Sequence, residues 1–221
     1  MSDAARPAVY GHRGSVRPGP ENTPGAVRTA LAAGADGVEV DLRRGGVGLV
    51  VSHDHPNGPV PDAHEILDAA AGGRIICEVK NVAGDPDFDA PRSGVARALV
   101  ALLDARDGDQ HRDDVVVSSF DWFSLDAVRE LGGPPTAFLT PFGMSMRAGI
   151  TQAREHGHAE VHPHWSAVTR RGVESAHEAG LRVVTWTVTT VVAARRLARL
   201  GVDGLICDDP AGIVAALRTE R

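Results

Sequence analysis

Lysine is almost absent from this 221-residue chain: of 23 basic side chains one, Lys80, is a lysine and the rest are arginines. Aromatic residues make up 4%, too few for the stacking platforms that single-stranded nucleic acids use. No basic run with interleaved aromatics occurs, and the formal net charge is −6 at pH 7. Together these argue against a nucleic-acid partner. The cysteines are two, Cys77 and Cys207, which excludes a disulfide framework and a thiolate zinc site. Both lie in apolar runs and read as small buried hydrophobes. No apolar stretch is long enough to span a bilayer, so integral membrane association is not expected. The start of the chain, MSDAARPAVY, lacks the basic and apolar regions of a secretory signal. A cytoplasmic location is the expectation.

What is present is a globular composition, 43% hydrophobic and 24% charged, with enough chain for a substantial core. Short β-type runs alternate with helical patterns. Strands are expected at 8–11, 37–42, 48–52, 74–79, 114–118, 135–139, 158–162, 182–186 and 203–206. Helices are expected at 23–33, 62–71, 92–106, 123–131, 145–156, 168–179, 190–200 and 210–218. Such alternation implies parallel strands joined by right-handed crossovers. If 48–52 extends the second unit instead of starting its own, eight βα units remain. The expected fold is then an α/β (β/α)8 TIM barrel, one domain over 1–221 with no interdomain linker. A doubly wound dinucleotide fold fits less well, because the first strand ends in GHRG with no GxGxxG spacing. Thr23–Pro24 reads as an N-cap followed by proline at the first helical position. GADG (34–37) and GVDG (201–204) both put a Gly–x–Asp–Gly turn between a helix and a strand, and Gly180 does the same work before 182–186. The turn-rich stretch 84–92 reads as a surface loop.

Four strand-like runs carry ionisable side chains, which strand interiors rarely do without purpose. Alternate strand residues share a face. Glu39 and Asp41 therefore point together, with Val38, Val40 and Leu42 opposite; Glu78 and Lys80 repeat the arrangement. In a barrel that shared face points inward, and the C-terminal strand ends form the site. Three inward carboxylates repel one another unless a cation relieves them. All-oxygen ligands suit Mg²⁺ or Ca²⁺ better than zinc. The alternative for such acids is a set of salt bridges with arginine or lysine. His12 and His53 follow strands at the same rim and titrate near neutrality, as an acid–base pair must. Arg13 has a planar fork for phosphate, and Lys80 can act on it as a point charge. His162, ending a later strand, is a candidate substrate contact. His55 is ambiguous; His64, His111, His156, His158 and His177 read as solvated or hydrogen-bonded.

The ordered segments GHRG (11–14), PENT (20–23), DGVEVDLR (36–43), SHD (52–54), EVK (78–80), VVVSSFDW (115–122), HPHW (162–165), VVTWTV (183–188) and GVDGLICDDP (201–210) resemble the glycerophosphodiester phosphodiesterase family, within the wider group of phosphatidylinositol-phospholipase-C-like barrels. The resemblance covers nearly the whole chain. It implies metal-dependent hydrolysis of a small-molecule glycerophosphodiester to glycerol 3-phosphate and an alcohol, through a cyclic phosphate. It implies His12 and His53 as acid and base, Glu39, Asp41 and Glu78 as metal ligands, and Arg13 and Lys80 as phosphate contacts. It further implies Glu21 and Asn22 as supports beside the first histidine and Trp186 as pocket lining.

The chain departs from the family pattern after SHD. HPNGPVPDAHEIL (55–67) replaces a longer insertion that often caps the site, so a shortened cap and a more open mouth are expected. Thr189, Cys207 and Asp209 also stand where the family commonly has other residues. These departures bear on substrate. They leave open a phospholipase acting on lysophospholipids or larger lipid headgroups, and a phosphodiester-binding module without chemistry. Assembly into a homo-oligomer is also left open.

Overall fold

The computed structural model describes residues 6–14, 19–46, 48–106 and 114–218; His111 lies outside them. Among the described residues the strands are β1 (Ala8–Gly11), β2 (Gly37–Arg44), β3 (Leu49–Val51), β4 (Arg74–Val79), β5 (Val115–Ser119), β6 (Thr136–Leu139), β7 (Glu160–His162), β8 (Arg182–Val188) and β9 (Gly204–Cys207). The helices are α1 (Pro24–Ala32), α2 (Ala63–Ala69), α3 (Gly94–Ala105), α4 (Trp122–Glu130), α5 (Met146–Glu155), α6 (Arg170–Glu178), α7 (Val191–Leu200) and α8 (Pro210–Arg218). Strand order runs β1-β9-β8-β7-β6-β5-β4-β2, and β1 also pairs with β2. Eight parallel strands thus close into a barrel with helices between them, the (β/α)8 architecture. β3 is not a ninth wall. It pairs antiparallel to β2, with Leu42 opposite Val51, and so belongs to the second unit.

Local chemistry starts most of the helices. The side chains of Thr23, Asp62, Ser145, Thr169 and Thr190 each accept a hydrogen bond from the backbone N–H three residues on, satisfying donors that a helix start leaves unpaired. The two Gly–x–Asp–Gly turns do the same job at different places on the barrel floor. Asp36 accepts from the Val9 N–H at 2.8 Å, and Asp203 accepts from the Val183 N–H at 2.7 Å. Each aspartate clamps its own strand to a neighbour. The glycine that follows is needed for space: a Cβ on Gly37 would lie 2.2 Å from the Arg74 carbonyl oxygen, and one on Gly204 would lie 2.9 Å from the Tyr10 ring.

The core has two layers. The outer layer packs the strand residues that face outward, among them Val38, Val40, Cys77 and Val117, against the helices. The inner layer, Tyr10, Ile76, Val116, Ala137, Val184 and Ile206, fills the barrel itself. Both cysteines are buried and unpaired, and burial pushes the Cys77 thiol up to about 12. Below the inner layer Glu160 faces Arg182 at 3.4 Å. The 84–92 stretch is less of a free loop than its turn residues suggest. Asn81 and Asp89 exchange hydrogen bonds, and Asp89 also takes the Gly94 N–H that begins α3.

His158, just before β7, is 5% exposed, and its Nδ1 pairs with the Thr136 hydroxyl at 2.9 Å. Burial pushes its pKa down to about 4. Folding therefore holds it neutral, and the stability this supplies is complete above the unfolded value near 6.5 and is lost as pH falls toward 4. Urea midpoints should drop over that window by the equivalent of about 3 kcal/mol at most, and His158→Asn should flatten the drop. Parallel profiles for the two proteins would refute the assignment.

Candidate active site

The C-terminal mouth of the barrel contains a cavity of about 190 Å³. Its polar walls are His12, Arg13, Glu39, His53, Glu78 and Lys80; Phe120, Leu139, Trp186 and Ile206 form the apolar side. A larger groove of about 670 Å³ runs between α5 and α6, but neither carboxylates nor histidines line it.

β2 and β4 deliver the acids. They pair in register with Glu39 opposite Ile76 and Asp41 opposite Glu78, so period-two geometry stacks the carboxylates on the inner face. Glu39, Asp41 and Glu78 are 3%, 1% and 8% exposed, and a ligand oxygen from each lies within 4.8 Å of the others. Lys80 Nζ sits between two of them, 2.5 Å from Glu78 and 3.0 Å from Asp41. Burial, then the charges of Asp41 and Glu78, pushes the Glu39 carboxyl well above its ordinary pKa. Burial also raises Glu78, to about 7. Burial would raise Asp41 too, but Lys80 and the Asn22 amide outweigh it and hold the pKa low. The Glu39 Oε1 atom is buried with no hydrogen-bond partner. A buried oxygen without a donor, in an all-carboxylate cluster short of positive charge, fits a hard divalent cation.

The turn after β1 supplies the first histidine. Arg13 there adopts the left-handed conformation, φ 56°, which non-glycine residues avoid. Its N–H donates to Glu39 Oε2 at 2.9 Å, its guanidinium reaches Glu21 at 2.8 Å, and its Nε lies 3.5 Å from Asp41. Asn22, also left-handed at φ 54°, donates from its amide to Asp41 Oδ2 at 2.8 Å and accepts the Asp41 N–H at 3.1 Å. His12 Nδ1 faces Asp208 Oδ1 at 2.7 Å, which directs Nε2 away from that acid.

The β2–β3 hairpin supplies the second histidine. Ser52 N–H donates to the Asp41 carbonyl at 3.0 Å, and His53 follows with its Nδ1 2.8 Å from Asp54. Burial, and then the nearby Lys80 charge, hold the His53 pKa below its usual value. Trp186 on β8, the seventh strand of the barrel, donates its indole N–H to the His162 carbonyl at 2.9 Å and meets Phe120 edge-on.

Ten of the eleven residues singled out from sequence gather here. His162 does not. Its side chain is fully buried inside the barrel, with Nε2 2.9 Å from Glu160, and it is not among the residues that line the cavity. The bond to Glu160 turns the ring down into the barrel, although His162 pairs in register with Leu139, which does line the cavity. Two contributors escaped the sequence reading. Asp208 had a signal, an acid at the end of the last strand in CDDP. Arg43 continues the inward face of Glu39 and Asp41. It is 3% exposed, donates from Nε to the His53 carbonyl at 3.1 Å, and pairs with Asp85 at 2.8 Å and Asp87 at 3.0 Å.

The fold is that of the barrel phosphodiesterases. The profile of the glycerophosphoryl diester phosphodiesterase family matches residues 12–58 and 55–212, two stretches that meet where the cap reads as shortened, and the chain belongs to that family of enzymes. A glycerophosphodiester phosphodiesterase from Caldanaerobacter subterraneus is 30% identical over 95% of this chain and 97% of its own length. Among solved structures, a phosphodiesterase of Oleispira antarctica, in complex with the product sn-glycerol-3-phosphate, shares the fold with a TM-score of 0.79. It is 22% identical and the match covers 96% of this chain and 97% of that one. The glycerophosphodiester phosphodiesterase of Thermotoga maritima shares it with a TM-score of 0.75, at 23% identity over 96% and 98% of the two chains.

Removing one acid tests the cation site directly. Metal-free Glu39→Gln should melt above metal-free wild type, because folding no longer has to bury or neutralise that carboxylate. Mg²⁺ or Ca²⁺ at a hundredfold excess over Kd should raise the wild-type Tm by roughly 5–10 °C and leave the variant unmoved. A wild type that no divalent cation shifts in differential scanning fluorimetry would rule the site out.

Proposed function

We propose that this enzyme hydrolyses glycerophosphodiesters to glycerol 3-phosphate and an alcohol, with a divalent cation and with His12 and His53 as acid–base pair. One observation carries the reading: two histidines, each with its Nδ1 on a carboxylate, share a small cavity with a buried carboxylate trio and two cations. Glu39, Asp41 and Glu78 are the residues that would hold Mg²⁺ or Ca²⁺, which when bound draws charge from the phosphate oxygens. Arg13 and Lys80 add positive charge to the same wall and grip the phosphate. Glu21 and Asn22 orient Arg13 and Asp41.

The two histidines differ in a way that divides their work. Asp208 is largely enclosed, and its bond to His12 Nδ1 leaves Nε2 free to accept a proton and balances the imidazolium that forms. His12 is therefore the first base: it takes the proton of the glycerol hydroxyl as that oxygen attacks phosphorus. His53 is more open, with 41% of its side chain exposed, so solvent can supply its proton before the reaction. It protonates the leaving alcohol as the phosphorus–oxygen bond breaks and is left neutral, ready to take the proton of the attacking water. The roles reverse when water opens the cyclic phosphate. Trp186 and Phe120 flank the reacting group. We read the chain as one domain that acts on a small soluble diester in the cytoplasm, without a nucleic-acid partner. Among the described residues no helix is long and apolar enough to cross a membrane.

Purified enzyme should release glycerol 3-phosphate from simple glycerophosphodiesters with Mg²⁺ or Ca²⁺ and stop on adding EDTA. His12→Ala and His53→Ala should each lower kcat by about 10²–10⁴-fold; full activity in either variant would sink the mechanism. Asp208→Asn should lower kcat about a hundredfold with KM little changed. A change confined to KM would instead make Asp208 a binding residue.

A further inference from the structure

A second cavity, of about 330 Å³, opens beside the first and shares Glu78, Lys80 and Phe120 with it. It lies over the C-terminal ends of β4 and β5, walled by the loop into α3 and the start of α4. Its lining is mixed, with an apolar part made by Val82, Phe88, Phe120 and Phe123; Val82, Phe120 and Phe123 leave 47%, 40% and 48% of their surface uncovered. That much exposed hydrocarbon beside a reaction centre marks a ligand surface.

The one guanidinium in this wall narrows the ligand class. Arg92, in the left-handed conformation at φ 58°, pairs with Asp121 at 2.6 Å. Its guanidinium lies 4.9 Å from the Phe123 ring centre and 5.7 Å from that of Phe88. The ring faces that would otherwise bind a cationic headgroup thus already hold a cation. Asp121, the acid at hand, is occupied by Arg92, Asn81 and Ser124. Glu78, the other acid in the lining, is paired with Lys80, so a choline or ethanolamine group would find both acids already holding cations.

We propose that this cleft binds the alcohol that leaves, and that it selects an uncharged alkyl alcohol over a cationic amino alcohol. The inference rests on the phosphodiesterase reading above and assigns that site its leaving-group specificity. Continuity supports the occupant: the two cavities share Lys80, the cation that would grip the phosphate, and Phe120, so an ester arm leaving that phosphate can enter this cleft. The loop is built in advance for it, pinned by the Asn81–Asp89 and Arg92–Asp121 pairs and, from beneath, by Arg43 on Asp85 and Asp87.

The test is a series of sn-glycerol 3-phosphodiesters of ethanol, butanol, hexanol and choline, assayed on the metal-supplemented full chain. kcat/KM should rise with alkyl length, up to about fourfold per methylene, and the hexyl ester should exceed the choline ester by at least tenfold. Phe123→Ala should lower kcat/KM about tenfold for the hexyl ester and less than twofold for the ethyl ester. Val82→Asp, a surface change with little risk to folding, should do the same. Equal turnover of hexyl and choline esters, or equal losses on both alkyl esters in the variants, would overturn the subsite alone. No cleavage of any diester would overturn the phosphodiesterase reading together with it.

Discussion

Three carboxylates buried within 4.8 Å of one another are the constraint on which the top of this barrel depends. In a low-dielectric mouth their mutual repulsion is severe, and the neighbouring chemistry answers it. Lys80 lies between Asp41 and Glu78; Arg13 brings its backbone N–H to Glu39 and its guanidinium to within 3.5 Å of Asp41. Asn22 bonds Asp41 twice. Even so, the Glu39 carboxyl stays pushed up and one of its oxygens lacks a donor. The cluster is thus short of positive charge, and that shortfall is what fits it to hold a cation.

The same cluster explains two of the three left-handed non-glycine positions among the described residues, Arg92 being the third. Arg13 and Asn22 both occupy left-handed conformations, at a cost of order 1 kcal/mol or more each. Their strain places an N–H on Glu39 and an amide on Asp41. Arg43 plays the complementary part on the outer side of the mouth. Buried on the same strand face, it reaches the His53 carbonyl and both acids of the loop before α3. One arginine therefore couples the second histidine to the wall of the apolar cleft.

The elements were legible in the sequence to within a few residues, because each carries its own signal: Thr23–Pro24 before α1, glycine after α7, alternation in β2. The ambiguity of 48–52 was real. Apolar periodicity reports a strand but not its partner, and only pairing with Leu42–Arg44 makes it a hairpin arm. The loop at 84–92 looked free because turn residues are polar; its pins, Asn81 and Arg43, lie outside it. His162 ends a strand as His12 and His53 follow theirs, but its ring bonds Glu160 inside the barrel, a choice of side-chain direction that strand position alone does not encode.

The alternation of strand and helix patterns along the chain determined the barrel, and the spacing of its charged residues determined the shared face of Glu39, Asp41 and Glu78 and the pair of rim histidines, because strand period and turn chemistry are local. The tertiary structure decided the rest. Asp208 meets His12 across 196 positions, and that contact exists only once β9 closes against β1. It is this closure that makes two similar histidines unequal. The apolar cleft has the same origin: Val82, Phe88 and Phe123 are unremarkable in the chain, and become one surface beside Lys80 only when β4 and β5 bring their loops together.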